Sequence, residues 1–398
     1  MSINRRAQVA FILITVTFFA TSAMGQAGDP NPGMNRPVTA QDIDRLRQTI
    51  HDETSSSLEG LFGFHTETGD LNNRLDFYRV GGRANLLIGQ GGLFYVSGVR
   101  TPYSTWDDRY KASGTNISVG AEGQMTEGLS GRVELGGTRF STGSNTFNGL
   151  ASARFDSEPL TLRVTGSRTN VEETLLSAAG ILPVLGPFGG RIVGQVMDNR
   201  FVGEATYQIS TKLTAFGSGG FGFRKGKNVP ANDFKLVGAG AGYDIIAEAD
   251  EEKISLLRGI YELNYIGFDD NRLGFGGTSL MDARGVAIAP NRIGADGLSP
   301  IPTAARAGVG GYFSPERFLH HVVRGEMRGT LSENFTYRLS GFVGSQFITG
   351  SPRDQVGGVS GTLAIRLNER FSIPVTVATD NFGPFRQQSI LTRLVAWF

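Results

Sequence analysis

Cysteine is absent from all 398 residues, so the chain has no disulfide framework, no lipid anchor on a cysteine and no thiolate metal cluster. Net charge is nearly absent as well, at +1, and no basic patch or stripe marks a nucleic-acid partner. Beyond residue 25 no uninterrupted stretch of about 18 apolar residues occurs, which excludes membrane-spanning helices. Catalytic signatures are missing too: there is no HExxH motif and no phosphate-cradling glycine loop. Of the four histidines, His320 and His321 would fall on opposite faces of a strand. Ser314 is near them only in sequence, and no separate acidic partner is evident. Asp269, Asp270 and Asn271 could bind calcium in an external loop, but solvated loop acids are the commoner explanation. The expectation is a protein that is not an enzyme, with no cofactor and no metal.

What the chain does hold is glycine. Its 56 glycines are roughly twice the usual share, and they run through β-rich segments beside 27 phenylalanines. That composition suits a transmembrane barrel, whose membrane signal is alternation rather than bulk hydrophobicity. At the start, Arg5 and Arg6 precede an apolar run over residues 9–20, and Ala23-Met24-Gly25 supplies small residues for cleavage before Gln26. This predicts a secretory signal peptide over 1–25. A Gly/Pro/Asn linker follows, then Ile43, Leu46 and Ile50 at helical spacing, so residues 26–56 are expected to form a periplasmic linker and a short helix. The helix packs against the barrel mouth, plugs it, or docks a partner. Residues 57–398 are expected to form the barrel.

The alternation is plain in residues 201–210, where Phe201, Gly203, Ala205, Tyr207 and Ile209 share one face and Val202, Glu204, Thr206, Gln208 and Ser210 the other. Strands are predicted to begin near residues 57, 82, 93, 114, 130, 146, 160, 200, 212, 234, 254, 317, 334, 357, 371 and 388. That is about sixteen, an even number as bacterial barrels require. If the first strand rises from the periplasm, odd-to-even connections should be long and external, the others short. Residues 100–113, 169–191 and 269–316 are the longest connections and all fall in the external set. The fold class is therefore all-β, a transmembrane antiparallel β-barrel with an aqueous interior. Its last strand ends in Trp397 and Phe398, aromatics that a closing strand places at the membrane interface, with Phe398 the assembly signal for the barrel assembly machinery.

The predicted inward face collects Arg132, Glu134, Arg154, Arg163, Glu204, Arg258, Glu262, Arg324, Glu326, Arg328, Arg338 and Arg366. Any wide barrel must solvate its lumen, so these residues serve as a stiffening ladder or as the lining of a conduction path. The apolar run starting at Leu175 and Leu176 is unsuited to water and is expected to fold over or into the lumen, constricting it, or to pack on neighbouring loops. Tyr312 and Phe313, at the end of the longest loop, could stack on sugar rings or anchor the strand at the interface.

Gly311-Tyr312-Phe313-Ser314-Pro315-Glu316, followed by an amphipathic strand, resembles the Gly-Tyr-Phe-Ser-Pro-Gln segment in the barrel domain of the C component of bacterial cellulose synthase, the outer-membrane cellulose exporter. Glu173-Thr174-Leu175-Leu176-Ser177-Ala178-Ala179-Gly180 resembles that family's Asp-Ser-Leu-Leu-Ser-Tyr-Ala-Gly segment, and Phe188-Gly189-Gly190 falls where it has Trp-Gly-Gly. Residues 43–61, with Glu53-Thr54-Ser55 and Leu58-Glu59-Gly60, are similar to the helix leading into its first strand. The family also carries a tetratricopeptide repeat array before the barrel, where this chain is expected to have a signal peptide and linker. The resemblance implies an outer-membrane pore exporting an exopolysaccharide, cellulose or a related glucan. The alternative is a general diffusion porin for small solutes. The implied partners are outer-membrane lipid, the polysaccharide chain, a separate periplasmic repeat protein and an inner-membrane synthase. The expected location is the outer membrane of a Gram-negative-type cell.

Overall fold

Along β15 (Phe335–Ile348), Leu339, Val343 and Phe347 stand exposed, Val343 at 68%, while Gln346 is buried at 2%. A water-soluble sheet would reverse that order. A strand whose apolar side faces outward and whose polar side faces inward belongs to a barrel in lipid, because only closure satisfies every backbone group without water.

The computed structural model describes residues 55–69, 75–89, 92–105, 111–180, 182, 190–246, 253–270, 280–281, 287–288, 312, 314–349, 353–381 and 385–398. The expected signal peptide, linker, short helix and Phe313 lie outside the described residues. The first strands are β1 (Ser57–Gly69), β2 (Leu75–Ile88), β3 (Gly92–Thr105), β4 (Lys111–Thr126), β5 (Leu129–Phe140), β6 (Asn145–Ser157) and β7 (Leu160–Asn170). A short helix, α1 (Leu175–Ala178), separates β7 from β8 (Gly194–Gln208). Then come β9 (Leu213–Lys227), β10 (Val229–Ile246) and β11 (Leu256–Phe268), with β12 (Leu280–Met281) and β13 (Ala287–Ile288) pairing only with each other. The chain returns through β14 (Phe318–Ser332), β15, β16 (Asp354–Asn368), β17 (Phe371–Asp380) and β18 (Phe385–Trp397). All but β12 and β13 join one closed antiparallel barrel of 16 strands, β18 pairing with β1 from Ser57↔Trp397 to Gly69↔Phe385.

Both ends of the barrel wall meet at its short-turn end, where Phe398 N–H donates to the Ser56 carbonyl at 3.0 Å. The opposite, long-loop end carries the connections 171–193 and 269–317. The predicted asymmetry rests on those two: residues 141–144 suffice to join β5 to β6, only Asn228 separates β9 from β10, and at the short-turn end residues 247–255 join β10 to β11. Asn228 takes a φ of +52°, the left-handed region that Asn tolerates better than most residues. The strands flanking residues 106–110 also run further than predicted, shortening that connection. On β18, Ile390 and Leu394 face outward, whereas Trp397 lines the interior beside Arg366.

Candidate functional site

The lumen has two parts with opposite chemistry. From the short-turn end it holds a cavity of about 1440 Å³ that reaches Ile266, Phe318 and His320 along β11 and β14. Of the residues predicted to face inward, Arg132, Arg154, Arg163, Glu204, Arg258, Glu262, Glu326, Arg328, Arg338 and Arg366 line that cavity. The other two adjoin it through partners. Glu134 bonds Arg132 Nη2 at 2.9 Å, and Arg324 Nε donates to Glu262 Oε1 at 3.0 Å.

Most of these charges are matched. Arg154 meets Asp156 at 2.8 Å, Arg338 meets Glu326 at 3.5 Å, Arg393 meets Glu59 at 3.6 Å, and Arg258 Nη2 donates to Asp244 Oδ2 at 2.8 Å. Glu204 sits directly across from Arg163. Two like-charge pairs also stand opposite each other on the wall, Arg154↔Arg163 and Arg328↔Arg338. Like charges directly opposed on a sheet are destabilising, and a wet lumen is where a barrel can hold them. Tyr95 gives the wall a further anchor: it donates to Glu134 at 2.8 Å, accepts from Arg132 Nε at 3.1 Å, and carries the Arg83 guanidinium 3.7 Å from its ring centre. Its ring lies so close to β4 that a Cβ on Gly120 would sit 2.4 Å from it.

Toward the long-loop end much of the lumen is filled. The connection after β7 turns inward, and α1 opens with a capping box in which the Thr174 and Ser177 side chains each bond the other's backbone. Adjacent leucines then split between two apolar clusters. Leu175 packs with Leu75, Phe77, Tyr103, Ala112 and Phe140. Leu176 packs with Val193, Val196, Phe234, Phe318 and Tyr312 on the other wall. Burying each leucine contributes roughly 1.5–3 kcal/mol. The carbonyls at the end of α1 are taken by the wall: Asn170 Nδ2 donates to Ala178 and Gln195 Nε2 to Ala179, both at 2.9 Å. Gly194, at φ +96°, lets β8 reach the helix, since a Cβ there would lie 2.0 Å from the Leu176 carbonyl oxygen.

Charged residues fasten the same segment on both sides. Glu172 accepts from Tyr103 Oη at 2.6 Å and pairs with Arg79. Glu173 pairs with Arg224 at 2.8 Å, Arg224 with Asp198 at 3.0 Å, and Asp198 with Arg200. Arg224 is 1% exposed and lies 5.3 Å from the ring centres of both Phe268 and Tyr312. Tyr312 is itself buried, so a sugar could stack on it only after the segment moved. Sequence reasoning missed Arg79, Tyr103, Glu172, Asp198 and Arg224. The available signal was the Glu172-Glu173 pair directly before an apolar run, an acidic handle that needs cations wherever the run is buried.

His320 and His321 point to opposite faces, as read from the sequence. His320 lies inside, its ring 5.4 Å from Phe318. His321 lies on the outer wall and meets Ser345, Nε2 to Oγ at 2.7 Å, a pairing sequence reasoning did not find. Among the described residues, no group of three or more His, Asp or Glu is placed to hold a metal ion.

The chain matches the family described as cellulose synthase operon protein C C-terminus over residues 72–277, just over half its length. Among solved structures it resembles a bacterial polysaccharide outer membrane secretin, with a TM-score of 0.58 at 10% identity, covering 87% of this chain and 99% of that one. At that identity the likeness is one of fold. OccK3 (OpdO) of Pseudomonas aeruginosa matches at a TM-score of 0.40 and 10% identity, covering 90% and 100% of the two chains. The CymD monoaromatic hydrocarbon channel matches at 0.36 and 12%, covering 92% and 95%. No curated protein matches the chain by sequence.

Proposed function

The chain belongs to the family of the cellulose synthase operon protein C C-terminus and is an outer-membrane β-barrel of porin-like architecture; from this we propose that it exports an exopolysaccharide, cellulose or a related glucan. Its short-turn end would face the periplasm and receive the polymer. The observation that carries this reading is the lining of the cavity, where arginine–carboxylate pairs stand on the wall and Trp397 adds an aromatic face. A sugar chain entering there must give up hydrogen bonds to water. Guanidinium and carboxylate edges replace them with donors and acceptors in turn, and an indole ring suits the apolar face of a pyranose. The barrel supplies no energy of its own in this reading. Polymer synthesis at the inner membrane drives the chain outward, and a separate periplasmic repeat protein hands it over.

The likeness to a polysaccharide secretin is one of fold and agrees with a pore. Within this reading the segment around Leu175 and Leu176 is the part that must yield for polymer to leave, because it occupies the outer half of the lumen. The experiment is current blockade in planar bilayers: cello-oligosaccharides added on the periplasmic side of a variant lacking residues 175–183 should interrupt current in a length-dependent way. Equal, brief events with small sugars and oligomers would instead favour a general diffusion porin.

A further inference from the structure

The outer wall near the long-loop end holds a polar constellation that lumen function does not use. On β14, Phe318, His320 and Val322 are buried in the interior, while Leu319 and Val323 are exposed on the outside. His321 shares that outer face. Its partner across the ladder is Ser345, flanked on β15 by exposed Val343 and Phe347. Polar groups on the lipid side of a membrane wall are costly and mark function by default.

From the connection after β15, Arg353 reaches back onto this pair. Its Nε donates to Ser345 Oγ at 3.0 Å and its Nη2 to His321 Nε2 at 2.5 Å. A neutral imidazole offers a single lone pair. Because Arg353 occupies it, His321 is not free to deprotonate Ser345, so the pair is not a nucleophile with its base. The contacts instead fix the guanidinium in place. Two of its five N–H groups are used, which leaves the end-on edge and a full positive charge exposed on the outer wall. Among the described residues no carboxylate pairs with it. His321 lies three residues from the long-loop end of β14, about 10 Å at 3.3 Å per residue, near the rim of the barrel. Arg317, exposed at the rim, adds a second cation above it.

We propose that Arg353, held by His321 and Ser345, binds the phosphate group of a lipid in the outer leaflet. A planar fork held by two neutral partners suits a phosphate, which it engages through two parallel N–H bonds. The site is independent of what passes through the lumen.

The test is native mass spectrometry of the purified full chain in a zwitterionic detergent, titrated with bisphosphorylated lipid A, with the same lipid dephosphorylated, and with inorganic phosphate. Bisphosphorylated lipid A should bind about tenfold more tightly than its dephosphorylated form, and Arg353→Gln should remove that difference. Arg353→Lys, which keeps the charge but loses the fork, should fall between them, and Ser345→Ala should weaken binding without altering the heat-modifiable gel shift of the folded barrel. Equal affinity for the two lipids, or an unchanged Arg353→Gln variant, overturns the proposal. Inorganic phosphate matching lipid A would assign the site to free phosphate and overturn the lipid as its source.

Discussion

Glu173 Oε1 accepts from Arg224 Nη1 at 2.8 Å, joining the infolded segment to the inner face of β9. The bond is buried, and its neighbour Asp198 holds Arg224 from the other side at 3.0 Å. A polar link in an otherwise apolar packing acts as a latch: intact it fixes one arrangement, and broken it frees the segment while Arg224 stays with Asp198.

Removing one partner should therefore loosen the segment. Glu173→Gln is expected to raise the frequency of large-conductance openings in planar bilayers and to lower stability by roughly 1.5–3 kcal/mol, the usual worth of a hydrogen bond to a charged group, because Asp198 still pairs with Arg224. Adding Arg224→Leu should lower stability further, since buried Asp198 then keeps only Arg200, while openings stay frequent. Heat-modifiable gel shift and single-channel recording check the two halves. Openings unchanged in Glu173→Gln would show that this contact does not hold the segment.

Deleting residues 175–183 should act more strongly and in the same direction. It removes Leu175 and Leu176 from both apolar clusters, so single-channel conductance is expected to rise severalfold. Unchanged conductance would mean that the lumen is closed elsewhere.

Gly194→Val should act through the backbone. With φ at +96° and a Cβ lying 2.0 Å from the Leu176 carbonyl oxygen, valine cannot be accommodated where β8 meets α1. The barrel wall does not depend on this contact, so the variant should assemble, give the heat-modifiable shift, and conduct like the deletion. Failure to assemble would show that the segment is needed to build the barrel.

Ion selectivity should be weak. Arg132, Arg258, Arg324 and Arg338 each have a carboxylate partner, so the lumen presents little net field and the potassium-to-chloride permeability ratio should lie near one. Neutralising Glu262 and Glu326 to glutamine should shift it toward chloride, and raising salt should erase the shift because screening shortens to about 3 Å at 1 M. A strongly selective native pore would contradict the matched lining.

Much of this was legible in the sequence, and the misses share a cause. Strands predicted to start near 57, 160 and 371 start there, because at the short-turn end each has one apolar face and one wet face. Strands predicted near 82, 200 and 234 begin earlier, at Leu75, Gly194 and Val229. There the inward residues Leu75, Phe77, Val196 and Val229 are apolar too, since they pack against the infolded segment rather than water. Alternation disappears where both faces are apolar. The lining charges followed from strand parity alone. The Arg224 network did not, because it depends on which loop enters the lumen and where it docks.

Phe398 is exposed at 72% and tied to the wall through its backbone. Deleting it should slow insertion by the barrel assembly machinery and lower the amount of folded protein in the outer membrane, with conductance per channel unchanged. Normal folded levels would remove Phe398 as an assembly signal.

Whether a glucan leaves the cell through this lumen is read most directly from extracellular polymer in cells lacking the chain. Secreted glucan should be lost while isolated inner membranes keep their synthase activity, and the native chain should restore secretion. Glucan secretion continuing at its normal level in the deletion strain would contradict export through this barrel.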